Sequence, residues 1–307
     1  MRKIRLLSLT LFGLGVLLFS ISHSLPLSKL TPSAPSTAVV PSREQAIRYE
    51  SHILPQSVVH TLLIPVQKQF ALVPVVAEAL APIENFAQKY GAIAVLNGGF
   101  FDPKNQKTTS NIVQQGKLVA DPNQNERLMH NPDNAPYLEL ILNRTEFRHY
   151  LCGQTTRYDI ALHKAPPLAG CQLVDAIGGG PRLLPEMTAV QEGFLDYANG
   201  KVIHDALGSN QPNARTAIGI TRDGSIVWVM VAQKQEAPIT SGMSLPALAE
   251  FMKTLGVEQA MNLDGGSSSS LYYQGRIFYG RVNKQGNWVK RPVKSVLLVQ
   301  ENSGESQ

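Results

Sequence analysis

Ala217-Ile218-Gly219-Ile220-Thr221, Arg222-Asp223-Gly224-Ser225 and Ile226-Val227-Trp228-Val229-Met230-Val231-Ala232 follow one another without a break. Two apolar, β-branched runs are thus joined by a polar turn built around Asp-Gly. Branched and aromatic side chains suit a pleated surface, and Asp-Gly supplies the backbone angles of a tight hairpin. The stretch predicts two antiparallel strands. Downstream, Ser244 is a helix N-cap with Pro246 in the first turn. Leu248, Phe251, Met252 and Leu255 form one apolar face, and Gly256 ends the helix. Gln259–Leu263 reads as a strand, Leu271–Tyr273 and Arg276–Tyr279 as a hairpin around Gln274-Gly275, and Val293–Val299 as a closing strand. Upstream, Val58–Ile64 is a strand. Ile83, Phe86, Ala87 and Tyr90 recur at helical spacing before Gly91. Ile93–Leu96, Tyr137–Leu142 and Leu173–Ile177 read as further strands. Strands outnumber helices, and hairpins mix with helical crossovers. The expected fold class is α+β (mixed α/β), a single domain on a curved mixed sheet with flanking helices.

Several expected strands end in glycine-rich or polar turns. These are Asn97-Gly98-Gly99-Phe100-Phe101-Asp102, Gly178-Gly179-Gly180-Pro181-Arg182, Asn213-Ala214-Arg215-Thr216 and Asn262-Leu263-Asp264-Gly265-Gly266-Ser267. Glycine lets a chain turn sharply or approach a ligand closely. The recurrence suggests strand ends converging on one pocket. Asp264 is the sharpest candidate. It serves as general acid, base or nucleophile, or it caps its own turn. Asp102 caps its loop or supplies a second carboxylate, and Asp175 is a further carboxylate candidate. Arg182 and Arg215 have the planar donor fork that suits phosphate; the alternative is a structural ion pair. The N–H groups of the Gly178–Pro181 turn are expected to face the same anion. Asn97 shapes its turn or hydrogen-bonds a sugar hydroxyl. Asn262 alternates with Asp264 and is expected on the same face.

The chain has 307 residues, 43% hydrophobic and 17% charged, enough for one large core or two modest ones. Its formal charge is +5, of which Arg2, Lys3 and Arg5 carry three. No Lys/Arg-rich run accompanies this charge, so no nucleic-acid partner is expected. Residues 1–24 read as a signal peptide or an uncleaved membrane anchor: a basic start, the apolar run Leu6–Ile21, then Ser22-His23-Ser24. The protein is therefore expected to be exported, with membrane contact only through this segment if it is uncleaved. Residues 25–47 are a Pro/Ser-rich linker, 48–300 the folded domain and 301–307 a polar tail. Cys152 and Cys171 either pair, as an oxidising compartment permits, or remain two thiols. Neither has metal-ligand spacing. Aspartates and asparagines could bind a hard cation such as Ca²⁺, but their spacing specifies none. No G-x-S-x-G elbow surrounds Ser267–Ser270, no H-E-x-x-H occurs, and no G-x-x-x-x-G-K-[ST] loop is present.

Taken in order, Asn97-Gly-Gly-Phe-Phe101, Gly178-Gly-Gly-Pro-Arg182, Ala214-Arg-Thr-Ala-Ile-Gly219, Asn262-Leu-Asp-Gly-Gly266 and Arg291-Pro292-Val293 resemble the phosphodiester glycosidase family. The likeness spans roughly 49–299. Where the family commonly has a third glycine after Asn-Leu-Asp-Gly-Gly, this chain has Ser267. The resemblance implies hydrolysis of a sugar-1-phosphodiester at its glycosidic bond, releasing free sugar and a phosphomonoester. It implies phosphate contacts from Arg182 and Arg215 and the acid/base or nucleophilic role for Asp264. Substrate contacts would come from Asn97, Gly98, Gly99, Gly179, Gly180, Thr216, Asn262, Gly265, Gly266 and Ser267. A non-catalytic envelope protein binding glycans or anionic polymers is the competing reading, and a serine-dependent esterase using Ser267–Ser270 is a second.

Overall fold

The computed structural model describes residues 46–66 and 69–301. The signal or anchor segment and nearly all of the linker lie outside these residues, as does the tail beyond Glu301. In chain order the elements begin with β1 (Arg48–Ile53), β2 (Val58–Ile64), β3 (Phe70–Ala81), α1 (Ile83–Tyr90) and β4 (Ala94–Asn97). There follow β5 (Ile112–Gln114), β6 (Lys117–Ala120), α2 (Glu126–Met129), α3 (Leu138–Ile141), β7 (Thr145–Cys152), β8 (Thr155–Leu162), β9 (Gln172–Gly178) and β10 (Arg182–Leu184). The remainder are β11 (Leu195–Ala198), β12 (Lys201–Asp205), β13 (Arg215–Thr221), β14 (Ile226–Ala232), α4 (Leu245–Thr254), β15 (Val257–Asn262), β16 (Ser270–Tyr273), β17 (Arg276–Tyr279) and β18 (Val293–Glu301).

Three sheets carry the structure, with strand orders β1-β2-β14-β13-β15-β10, β17-β16-β4-β18-β3 and β6-β5-β9-β7-β8; β11 and β12 form a separate ribbon. Every strand pairing among the described residues is antiparallel, which corrects the expected mixed sheet. The helices are few and short, so the α+β class holds at a coarse level.

The β13–β14 hairpin lies at the centre of the six-stranded sheet, and all seven residues of β14 are buried. Its two faces serve two cores. Trp228 and Met230 join a central core with Leu96, Ile177 and Leu297 from the other two sheets. Val227, Val229 and Val231 face α4 through Leu245, Leu248 and Met252. Each such side chain contributes about 1.5–3 kcal/mol relative to exposure. A one-residue slip would exchange the two sets, so burial on both faces fixes the register. On the far side, α1 packs Ile83, Phe86 and Ala87 with Val296 and Leu298 of β18.

Local signals set the helix ends as expected. Ser244 Oγ accepts a hydrogen bond from Ala247 N at 3.3 Å, and Gly91 closes α1 at φ 58°. Tyr137–Leu142 corrects another expectation: it is a short helical passage, not a strand. Pro132–Tyr137 forms a 3-10 turn capped by Asn131, and α3 follows with only Ile141 buried. Short apolar runs do not distinguish the two states, and the preceding prolines start a helical turn here. β3 was not legible because Pro74 interrupts it. It pairs only with β18 at a sheet edge, where a missing N–H is tolerated.

Cys152 and Cys171 are joined in a disulfide. The pairing of β7 with β9 sets Leu151 against Gln172 and so brings the two cysteines together. Replacing both by serine should lower unfolding stability by about 3 kcal/mol on loop-closure grounds, read as a shift of the urea midpoint. An unchanged midpoint would mean that the bridge adds nothing to the β7–β9 pairing.

Candidate active site

Hydrogen bonds tie the four turns together. Asn97, 0% exposed at the end of β4, is the junction. Its Nδ2 donates to the Asp264 carbonyl at 2.6 Å, and its Oδ1 accepts from Thr216 Oγ1 at 2.8 Å and from Ser270 N at 3.0 Å. Backbone bonds repeat the connection, from Asp264 N to Gly98 O at 3.0 Å and from Leu263 N to Thr216 O at 2.8 Å. The Gly178–Arg182 turn joins through Asn262, whose Nδ2 donates to Gly180 O at 2.9 Å while Gly180 N donates to Asn262 O at 2.7 Å. Two glycines are required by this crowding. A Cβ at Gly99 would lie 2.3 Å from Gly178 O, and one at Gly179 would lie 2.7 Å from Asn262 O. Neither backbone oxygen can move aside without breaking the junction.

Asp264 sits just past β15, part-buried, and its carboxyl faces the Ser268 hydroxyl, the Gly265 N–H and the charge of Arg291. Burial pushes the carboxyl up to about 6, from an ordinary value of 3.8, against the downward pull of those three groups. Desolvation of this kind is typical of a carboxyl poised for proton transfer or attack near neutral pH.

Arg291 is the cation at this carboxyl. Its Nη1 donates to Ser267 Oγ at 2.7 Å, and its guanidinium lies 5.1 Å from the centre of the Phe101 ring. In the sequence, Arg291 stands in the Arg291-Pro292-Val293 segment with no role attached. No local signal marks it, because only the fold brings the entry to β18 beside the Asp264 turn. Arg281 is held at the Asn213 turn instead, donating from Nη1 to Asn213 Oδ1 at 2.6 Å.

Arg215 does not serve as the expected anion binder. It is 2% exposed, and its guanidinium donates to four backbone carbonyls: Met243 at 2.9 Å, Leu207 at 3.0 Å, Gly208 at 2.7 Å and Gln211 at 2.9 Å. It pins the loop after β12. Arg182 differs. Among the described residues its guanidinium has no hydrogen bond or ion pair, and its Nε is buried without a partner. Its backbone N, by contrast, is bound to Thr188 Oγ1 and Glu192 Oε1.

Other expectations are corrected by the same bonding. The N–H groups of Gly178, Gly179 and Gly180 donate to Asn111, Thr145 and Asn262 carbonyls, so they do not face an anion. Gly98 N and Gly99 N are taken up by Ser295 O and Oγ. Asn97 and Thr216 are bonded to each other, and the Asn262 amide N is bound within the turns, so these groups hold the site instead of reaching a sugar. Asp102 accepts from Arg127 Nε and Lys104 N, each at 2.7 Å, and caps its loop. Asp175 accepts from Gln115 N and pairs with His149 Nδ1, both at 3.0 Å. Neither is joined by any contact to Asp264. No histidine touches Ser267, Ser268, Ser269 or Ser270 among the described residues, which leaves the serine-esterase reading without a base.

Glu192 was not foreseen. It is 0% exposed and accepts from Thr145 N at 2.8 Å, Thr145 Oγ1 at 2.6 Å, Thr188 Oγ1 and Arg182 N at 2.9 Å. Thr188 and Arg182 lie four and ten residues before it, but Thr145 is 47 residues away, and only the fold brings that partner to it. It anchors the cis-Pro181 turn from below. Among the described residues, no three His, Cys, Asp or Glu side chains gather closely enough to hold a metal ion.

Among the described residues, three of the four buried side-chain polar atoms without a partner lie in or just beyond these turns: Arg182 Nε, Asn262 Oδ1 and Ser269 Oγ. Orphaned groups are costly in a folded interior, and their concentration here marks a place completed by water or a ligand.

Likeness to known proteins gives the family and the fold. The phosphodiester glycosidase family matches residues 90–300. The catalytic domain of zebrafish N-acetylglucosamine-1-phosphodiester alpha-N-acetylglucosaminidase, auto-inhibited by its pro-peptide, has a similar fold. Its TM-score is 0.59 at 18% identity, over 84% of this chain and 83% of that one. A hypothetical protein from Synechocystis matches with TM-score 0.53 at 18% identity, over 83% of this chain and 61% of its own. A Burkholderia pseudomallei protein matches with TM-score 0.53 at 15% identity, over 79% and 74%. No curated protein matches the sequence. With its four turns joined around Asp264 and the family matched across most of its folded length, the chain belongs to the phosphodiester glycosidase family.

Proposed function

We propose that this protein hydrolyses a sugar-1-phosphodiester, breaking the bond between the anomeric carbon and the phosphate oxygen. Water supplies the new sugar hydroxyl, and its other proton goes to the departing phosphomonoester. The observation that carries this reading is the desolvated Asp264 carboxyl beside Arg291 at the junction of four turns. A phosphomonoester is a good leaving group, so the site needs anion stabilisation more than a strong acid. Asp264 accordingly acts as nucleophile or general base. Arg291 takes the phosphate nearest Asp264, and Arg182, whose guanidinium has no partner among the described residues, provides a second contact. Export belongs to the same proposal, and the Cys152–Cys171 bridge is in keeping with an oxidising compartment.

Asp264 must be ionised to attack or to deprotonate water. With its carboxyl at about 6, kcat/KM for a sugar-1-phosphodiester should rise through pH 6 and then level. Asp264→Asn should abolish both the activity and the rising limb. Turnover at the wild-type rate in that variant would refute the catalytic role and favour a binding protein.

The same shift has a stability consequence. The native state holds the Asp264 proton in a range where the unfolded chain has lost it, so its contribution is full below about pH 4 and disappears as pH rises through 6. Asp264→Asn should therefore raise stability at pH 8 by on the order of 3 kcal/mol and change little at pH 4, measured by urea unfolding.

The arginines separate by experiment. Arg291→Ala should impair phosphodiester turnover with little change in unfolding midpoint. Arg215→Ala strands four carbonyls and should lower stability by at least about 3 kcal/mol. Equal stability losses in both would argue that Arg291 is structural too.

A further inference from the structure

A cleft of about 420 Å³ opens between the start of β2, the end of β14 and the β16–β17 hairpin. The register places it at the same end of the six-stranded sheet as Asp264. Val58 opens β2 opposite Ala232, the last residue of β14, and Val231 lies opposite Arg215, the first residue of β13. Ala217 of β13 is in turn opposite Asn262, the last residue of β15. β14 is two strand spacings from β15, roughly 10 Å at about 4.8 Å per strand. The cleft also shares support with the catalytic turn: Gln233 N donates to Gly280 O, and Gly280 N donates to Ser269 O, each at 2.8 Å.

The lining is aromatic and polar but without net charge. Trp288 is 38% exposed, in contrast to Trp228 at 1%. The Phe278 ring packs at a tilt of 31° on His60, which burial keeps neutral, and stacks against Tyr49 outside the cleft. Lys234 and Glu236 offset each other at 3.9 Å, and Gln235 is steadied by the bond its Nε2 donates to Gly286 O at 2.8 Å. An open indole face beside amide and ammonium groups suits a polyhydroxylated ring, with its apolar face on the aromatic and its hydroxyls on the polar rim. Arg276 and Lys290 flank the cleft over the rings of Phe278 and Tyr279, 5.0 and 5.9 Å from their centres, but neither side chain lines it, so the walls themselves offer an anionic polymer no unpaired cation.

We infer that this cleft is a subsite for neutral carbohydrate, holding sugar units that extend from the phosphodiester cleaved at Asp264. The link to cleavage rests on the glycosidase reading; the binding chemistry does not. The substrate is then a glycan chain, not an isolated sugar phosphodiester.

Two tryptophans make a direct test possible, because a collisional quencher in solution reaches Trp288 far more readily than Trp228. The full chain carrying Asp264→Asn, which removes turnover from the measurement, is titrated with neutral oligomers of β-1,4-linked glucose and N-acetylglucosamine. Acrylamide quenching of tryptophan fluorescence is followed. Quenching should fall by about half at saturation, with longer oligomers binding more tightly than single sugars. Ile53→Arg, at a wall position 81% exposed where folding does not depend on the side chain, should weaken binding about tenfold by calorimetry. Trp288→Ala should do the same. Unchanged quenching with every neutral oligomer would overturn the inference. So would equal protection by free nucleosides or polyphosphate, or full affinity in both variants. Because the measurement needs no hydrolysis, failure of the glycosidase reading and failure of the subsite give different results.

Discussion

One buried amide holds the site together. The Asn97 side chain uses its nitrogen for the Asp264 carbonyl and its oxygen for the Thr216 hydroxyl and the Ser270 N–H, all out of contact with water. Those partners come from three other segments of the chain, belonging to two different sheets. An amide offers donors and an acceptor within one rigid plane, so it can serve both sides of such a junction; a carboxylate or a hydroxyl cannot in the same way. The glycines around it follow from this constraint, since backbone oxygens approach where any Cβ would lie.

Support for the site is layered outward from that amide. Glu192 holds the Arg182 backbone, and Arg215 holds the loop at 207–211, each through a full set of hydrogen bonds in a dry environment. Of the two, Arg215 resembles a binding residue when read from the sequence, because arginine is a usual partner of phosphate. Their burial makes them scaffold. Asp264 and Arg291 stand differently, a desolvated carboxyl beside a guanidinium, and the Arg182 Nε is buried without a partner. A carboxyl kept at about 6 by desolvation is destabilising once charged, and such a strained group persists only because the surrounding turns over-determine its position.

The sheet ends give the site its surroundings. Antiparallel pairing returns β13, β14 and β15 to one edge, so the loops after β14 and β15 and the hairpin of β16 and β17 open on the same side. The Asp264 turn and the aromatic-walled cleft are thereby set at one end of the sheet, about two strand spacings apart.

How much of this was readable differs by feature. The β13–β14 hairpin, both longer helices and their caps follow from neighbours in sequence: Asp-Gly at the turn, Ser244 before Leu245, Gly91 after Tyr90. The four turns and the prominence of Asp264 were also legible, because glycine beside Asn or Asp is a local signature. The state of Tyr137–Leu142 was not, since a six-residue apolar run fits helix or strand equally. Nor was the difference between Arg215 and Arg291. One guanidinium is enclosed by four carbonyls and the other is left beside a carboxyl, and both outcomes depend on chain segments far away in sequence. Local propensity, capping and turn chemistry are short-range and were determined by the sequence alone. Which charges are desolvated, paired or left open depends on long-range packing, and that was decided only by the tertiary structure.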